Sequence, residues 1–378
     1  MKTIIFCAIC LLVGAHLLLT WRRKPIPPTR CIDAIVPAYN EEGCLEQTLC
    51  RLYANPYINR IICVNDGSTD GTSAELHRLA RPHPRMIVVD QANTGKGGAL
   101  MHGLEHTTAE YVFLTDADTL LPPNGGGLGF MLGEMERGAD AVGGLPSTNL
   151  KGAGFLPHLR ASAKVPMIII QRMFQQMLGG APFIISGACG LFRTEVLKAV
   201  PFSDRTKVED LDLSWSLIAH GYKVRLAPRC VVYSQDCNDL VDEWRRWRRW
   251  IVGYAVCMRL HKGLLLTRFG LFSILPMFLI VALGVGSYSY YWTRAVAANG
   301  WTTLPSVMFP LLWLGIIMLV GTVSALHHNR LRLIPMAPLS LFYVLLAYTI
   351  WVVYGLKGLI TGREPQRDKP TRYAHVVA

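Results

Sequence analysis

The chain has 378 residues, of which 51% are hydrophobic and 17% charged, and it carries a formal net charge of +12. That length holds one substantial domain or two, and the apolar fraction places part of the protein in lipid. The ten cysteines are scattered over a long chain, which excludes the disulfide framework of a small secreted domain and reads as mostly free thiols.

The positive charge suits either nucleic acid or an anionic membrane surface. Basic residues flank the apolar runs, so membrane lipid is the simpler partner and no nucleic acid is expected; a cytoplasmic leaflet attracts such residues by about 1 kcal/mol each. Thr3 to Thr20 is the first apolar run. Lys2 stands alone before it, while Arg22, Arg23, Lys24 and Arg30 follow. This bias predicts a retained transmembrane anchor over residues 1–24 with the next domain in the cytoplasm, because a cleaved signal carries its positive charge ahead of the apolar run. Cys7 and Cys10 have zinc-like spacing but lie inside this run with no second pair, so they read as packing residues.

From Cys31 to about Val142, strand-like runs alternate with helix-like ones: Ile32 to Val36, Ile61 to Asn65, Met86 to Asp90 and Tyr111 to Thr115. The pattern predicts a parallel α/β sheet, in which ligands bind beyond the carboxyl ends of the strands. Polar motifs occur at those ends. Pro37-Ala38-Tyr39-Asn40-Glu41-Glu42 follows the first strand, Asp66-Gly67-Ser68-Thr69-Asp70-Gly71-Thr72 the second, and Asp116-Ala117-Asp118 the fourth. Pro122-Pro123-Asn124 and three glycines break the alternation, and a second half begins there. Phe155 to Leu191 mixes Arg160, Lys164 and Arg172 with an apolar stretch, which fits a buried helix or one lying against a membrane.

Each polar motif has a bland explanation and a chemical one. Asp66 to Thr72 is either a capped tight turn or a turn whose Asp66 accepts a hydrogen bond from a nucleobase. Asn93-Thr94-Gly95-Lys96-Gly97-Gly98 lacks the spacing of a phosphate-binding P-loop, yet small residues and one Lys at a helix entry suit a diphosphate as well as an ordinary loop. Asp116 and Asp118, after a nearly all-apolar strand, need a cation or hydrogen-bond donors; paired carboxylates there suit Mg²⁺ or Mn²⁺. Glu209, Asp210 and Asp212 either decorate a helix start or supply Asp210 as a general base. Arg246, Arg249 and Trp250 share a helix face, suiting lipid headgroups, a pyrophosphate, or both. His327-His328 reads as a solvated turn.

Phe269 to Thr293, Val307 to Leu326 and Leu333 to Leu356 contain no Asp, Glu, Lys or Arg, and each reaches the length of about 20 residues that crosses a bilayer. With all four apolar runs crossing, a tail holding Arg363, Arg367, Lys369 and Arg372 ends outside, against the positive-inside expectation; if the run containing Pro276 only re-enters, the tail is cytoplasmic.

Taken in order, these motifs resemble those of family 2 inverting glycosyltransferases with the GT-A fold, in particular the membrane-bound synthases of cellulose, chitin, hyaluronan and poly-N-acetylglucosamine. The resemblance covers roughly residues 31–260. It implies an α/β, Rossmann-like GT-A nucleotide-sugar domain at residues 30–260 that includes an interfacial Arg/Trp helix, membrane helices at 264–360, and a basic tail at 361–378. It also implies UDP contacts from Asp66, Lys96 and Asp116, a divalent metal (Mg²⁺ or Mn²⁺) on Asp118, and an acceptor-side loop at Ser186-Gly187-Ala188-Cys189-Gly190. Asp210 of Glu209-Asp210 matches the catalytic base, with Glu209 beside it on the substrate side. Arg246, Arg249 and Trp250 match the element that holds pyrophosphate and acceptor sugar.

Arg at the first position of that element is the less usual choice in polysaccharide synthases and also occurs in enzymes similar to ceramide glucosyltransferase. The expected activity is therefore transfer of a sugar, N-acetylglucosamine first, from a UDP-sugar to a growing polysaccharide, with single transfer to a glycolipid acceptor as the alternative. The expected setting is the bacterial inner membrane, with room for an export or accessory subunit.

Overall fold

The computed structural model describes residues 14–15, 18–122, 125, 127–301 and 303–365. Most of the Thr3 to Thr20 run lies outside the described residues, as do Pro123, Asn124, Gly126 and the tail residues Arg367, Lys369 and Arg372.

The apolar runs of the first half become strands β1 (Ile32–Ala38), β2 (Ile58–Asp66), β3 (Met86–Gln91) and β4 (Tyr111–Leu114). Helices α1 (Leu45–Tyr53), α2 (Thr72–Ala80) and α3 (Gly95–Glu105) connect them. In β1 nearly every side chain is buried, as in a strand covered on both faces. Alternate residues serve opposite cores. Ile32, Ala34 and Val36 pack with Leu49 and Leu76 of α1 and α2, whereas Ile35 joins Ile62, Val64 and Leu100 of α3. Each fully buried Leu or Ile contributes about 1.5–3 kcal/mol. Helix α3 lies so close to the sheet that a Cβ on Gly103 would come 2.6 Å from Ile35 Cγ2.

After α4 (Leu128–Glu136) come β5 (Ala141–Thr148), α5 (Phe155–Phe174) and a π-helical turn, Gln175–Gly179. The domain then continues with β6 (Gly190–Arg193), α6 (Thr194–Ala199), α7 (Glu209–Ala219) and β7 (Val224–Ser234). The seven strands form one sheet in the order β3-β2-β1-β4-β6-β5-β7. β1 to β4 are mutually parallel where they pair, but β6 runs antiparallel to both β4 and β5. The sheet is thus mixed, not wholly parallel. The reversal has a positional consequence: Gly190 at the start of β6 pairs with Leu114 at the end of β4, so the loop before β6 arrives beside Asp116 to Asp118. The Thr115 hydroxyl fixes it there by donating to the Ala188 carbonyl over 3.0 Å.

Helix α8 (Leu240–Leu260) leaves the sheet and leads to α9 (Leu275–Asn299), α10 (Leu304–His328), α11 (Leu333–Met336) and α12 (Ser340–Thr361). Asp239 caps α8, its carboxylate accepting from the N–H groups of Val241 and Asp242. Among the described residues, Ser306–His328 and Ser340–Thr361 are long and apolar enough to cross a membrane. The Leu333 to Leu356 run is not one helix. Pro338 lacks the N–H a continuous helix needs, and the chain turns between α11 and α12. Pro276 follows closely on a π-helical turn, Gly270–Ile274, where the regular i→i−4 bonding is already altered.

Helix α5 buries Ala161, Val165 and Met173 and leaves Phe155, Met167 and Ile170 about half exposed or more. The two histidines are not in a solvated turn: they close α10 and point inward, both within hydrogen-bond reach of the Ser147 hydroxyl, while His327 stacks on Tyr233 with ring centroids 5.9 Å apart.

Candidate functional site

The carboxyl ends of β1, β2 and β4, the loop before β6 and the first turn of α7 surround a cavity of about 970 Å³, at the upper end of the range for small-molecule sites. Asp66, Lys96, Asp116, Asp118, Glu209, Asp210, Arg246, Arg249 and Trp250 all line it.

Asp66 ends β2 and is buried; its Oδ1 accepts from Thr94 N and Gln91 Nε2, both at 2.8 Å. The next residue, Gly67, has φ +68° and faces Asn93 N so closely that a Cβ would lie 2.7 Å from it, so the turn needs glycine twice over. These bonds tie the β2 turn to the loop that delivers Lys96. Lys96 Nζ lies 2.5 Å from Asp116 Oδ1 and 3.9 Å from Glu209 Oε1.

The Asp116 side chain is about one-third exposed at 34%, while Asp118 is buried. Among the described residues no group of three or more His, Cys, Asp or Glu side chains is placed to hold a metal ion. The Asp116/Asp118 pair nonetheless fits Mg²⁺ or Mn²⁺, since these hard cations bind one or two carboxylates and complete their shell with phosphate and water oxygens.

Glu209 and Asp210 open α7. Asp210 Oδ2 accepts from Gly187 N at 3.0 Å. Burial pushes the Asp210 carboxyl above its ordinary value and neighbouring Glu209 pushes it further; Lys96, the Gly187 N–H and Arg249 only partly offset this. Asp212, two residues on, has the opposite environment. Its burial is outweighed by His261 at 2.7 Å, the Ser203 hydroxyl at 2.5 Å and Arg205 at 2.9 Å, which hold the carboxyl below its ordinary value. One helix start thus carries two carboxylates whose surroundings shift their proton affinities in opposite directions.

Helix α8 brings Arg246 and Trp250 to one face. Arg246 Nη1 bonds Asp236 Oδ1 at 3.0 Å, and Nη2 pairs with Glu243. Arg160 and Lys164, four residues apart on α5, reach the same Asp236 at 2.9 and 3.1 Å. Burial raises the Asp236 carboxyl, but Arg160 and Lys164 outweigh it and hold the group below its ordinary range. The guanidinium carbons of Arg246 and Arg160 lie 5.2 and 5.6 Å from the Trp250 ring centroid, which fixes that ring. Arg249 turns instead toward the loop before α7 and donates to Lys207 O at 3.0 Å. The Trp stripe of α8 faces α12: Trp244 packs edge-on against Tyr354, and Trp247 Nε1 donates to Tyr343 Oη at 2.6 Å.

Asp236, Arg160 and Lys164 were not singled out by the sequence as site residues, although two signals pointed to them. Asp236 follows the apolar run Cys230 to Tyr233, the same strand-then-acid pattern as Asp116, and Arg160 and Lys164 share a helix face by their spacing.

The family model for glycosyl transferase family 2 matches residues 33–200. The chain is 59% identical over 378 residues to an uncharacterized glycosyltransferase, YaiP, of Escherichia coli (strain K12), covering all of this chain and 95% of that protein. It is 29% identical over 227 residues to a poly-beta-1,6-N-acetyl-D-glucosamine synthase of Staphylococcus epidermidis, covering 59% of this chain and 54% of the synthase. Among solved structures it is similar to a mannosyltransferase of Pyrobaculum calidifontis in complex with GDP-Man and Mn²⁺, with 24% identity, a TM-score of 0.49, and coverage of 88% of this chain and 97% of that one. The chain, whose cavity lies at the strand ends of a mixed α/β sheet, belongs to glycosyl transferase family 2.

Proposed function

We propose that this enzyme is an inverting glycosyltransferase of the bacterial inner membrane that moves a sugar, N-acetylglucosamine in the first instance, from a UDP-sugar to a growing polysaccharide. The observation that carries this reading is the convergence of Asp210 with Lys96, Asp116 and Asp118 on one cavity whose far wall is built by α8 and α12. Similarity to the poly-N-acetylglucosamine synthase supports the sugar and the polymer over the region it covers.

In this mechanism Asp66 accepts from the base of the nucleotide, and Lys96 and Arg249 hold its diphosphate. Asp210 takes the proton from an acceptor hydroxyl as that oxygen attacks the anomeric carbon from the face opposite the diphosphate, which inverts the centre. Lys96 and Arg249 stabilise the negative charge that accumulates on the departing UDP, an electrostatic contribution usually among the largest in catalysis. Asp118, with Asp116, would hold a divalent metal, which supplies Lewis-acid stabilisation of the same phosphates. Trp250, fixed by Arg246 and Arg160, offers an aromatic face to the acceptor sugar. Arg246 itself is engaged by Asp236 and Glu243, so in this reading it positions Trp250, and Arg249 serves the diphosphate.

A second reading, single transfer to a lipid acceptor, is favoured by one feature. The cavity wall continues onto Val344, Ala347 and Trp351 of α12 and Met167 and Ile168 of α5, an apolar surface suited to an acyl or prenyl chain. Purified protein in lipid, given Mn²⁺ or Mg²⁺ and individual UDP-sugars, separates the two. A long polymer made with UDP-N-acetylglucosamine supports the first; one sugar on an added lipid and no polymer supports the second; no UDP release from any donor would contradict both.

A further inference from the structure

A second cavity, of about 500 Å³, borders the same π-helical turn as the first. Gln175 of that turn lines the catalytic cavity, whereas Gln176, Met177 and Gly180 line the second. Four arginines face this second space, Arg23, Arg137, Arg225 and Arg268, against one carboxylate, Glu134. Arg23 and Arg137 share Glu134 Oε1 at 2.5 and 3.2 Å. Arg225 donates to the Gly180 carbonyl at 3.1 Å, and Arg268 to those of Leu178 and Met177 at 2.6 and 3.0 Å.

Capping of a helix end accounts for Arg225 and Arg268, and ion pairing accounts for Glu134. Neither requires four guanidiniums around an open space, where like charges repel unless an anion enters. By sequence Arg23 follows the apolar Thr3 to Thr20 run by three residues; Arg268 precedes the apolar run from Phe269, whose first residues Phe269, Ser273 and Ile274 are buried in the domain core. Guanidinium groups match phosphate oxygens bidentately, and basic pockets beside membrane helices on the cytoplasmic side take lipid headgroups.

We propose that this cavity binds the headgroup phosphate of an anionic phospholipid, anchoring the catalytic domain to the membrane through the π-helical turn that also lines the catalytic cavity. The test uses the full-length protein in bilayers of phosphatidylcholine and phosphatidylglycerol, extracted gently, with the retained lipids identified by native mass spectrometry. Wild type should retain phosphatidylglycerol over phosphatidylcholine, and each arginine removed should lower that preference about fivefold. The variants Arg137→Gln and Arg23→Gln leave the capping arginines intact, Arg137→Glu reverses a charge, and Arg78→Gln, on an exposed pair with Glu46, serves as control.

Equal retention of the two lipids by wild type overturns the proposal, as does a preference that survives Arg137→Glu. Displacement of phosphatidylglycerol by millimolar inorganic phosphate would show a site for soluble phosphates and overturn the lipid assignment. Because the readout is lipid retention, it is independent of sugar transfer.

Discussion

Gly187 donates its backbone N–H to Asp210 Oδ2 over 3.0 Å, and a methyl group placed on Gly187 would lie 2.8 Å from Lys96 Nζ and 3.5 Å from Asp210 Cβ. The loop before β6, the start of α7 and the lysine at the entry of α3 therefore meet with no room for a side chain. Gly187→Ala should displace the flexible end of Lys96 and leave the fold intact. Misplacing a catalytic group by about 1 Å can cost about a hundredfold, so transfer should fall by about 10- to 100-fold with little change in melting temperature. Wild-type turnover in this variant would show that the Lys96 position is not critical.

The raised Asp210 carboxyl links activity and stability to pH. Its folded-state value lies above the unfolded one of about 3.9. The stability it contributes is therefore complete below the unfolded value and lost as pH rises through the folded one. Above that folded-state value the ionised carboxylate destabilises the fold, and there Asp210→Asn should melt higher than wild type. The acid limb of the rate profile should likewise lie above the ordinary aspartate value. A lower melting temperature for Asp210→Asn would contradict this account of the site.

Asp236 faces Arg160, Lys164 and Arg246 from a buried position. Asp236→Asn leaves these cations short of their shared anion, and breaking a buried pair in this way costs about 3–5 kcal/mol. Glu46→Gln, at the exposed pair with Arg78, should cost less than about 1 kcal/mol. Thermal unfolding of both variants in detergent tests the contrast; equal melting temperatures would mean that the Asp236 network adds nothing to stability.

Much of the nucleotide half was legible in the sequence because its signals are local. Tyr111 to Thr115 reads as a buried strand and hands directly to Asp116 and Asp118, and Asp66 likewise closes β2. Lys96 at the entry of α3 is legible for the same reason. What could not be read depends on pairing between distant segments. The antiparallel insertion of β6 between β4 and β5 brings Gly187 to Asp210, and no local period announces it. Arg246 meeting Asp236, Arg160 and Lys164 requires α5, α8 and the end of β7 to converge. The inward turn of His327 and His328 likewise depends on Ser147 and Tyr233, far away in the chain.

Metal dependence tests the Asp116/Asp118 pair. Chelation should stop transfer in the wild type, and Mn²⁺ or Mg²⁺ should restore it. Asp118→Asn should raise the metal concentration needed for half-maximal rate by at least about tenfold, because a hard cation loses an anionic oxygen ligand. A titration unchanged by Asp118→Asn would remove this residue from the metal site.

The most direct test of the central claim compares Asp210→Asn with wild type in two assays on the same preparation: calorimetric binding of the UDP-sugar and UDP release with acceptor present. If Asp210 is the base, donor affinity should stay within about twofold while transfer falls by at least the 10²- to 10⁴-fold typical of general-base loss. Equal loss of binding and transfer, or transfer retained at the wild-type rate, would contradict the assignment.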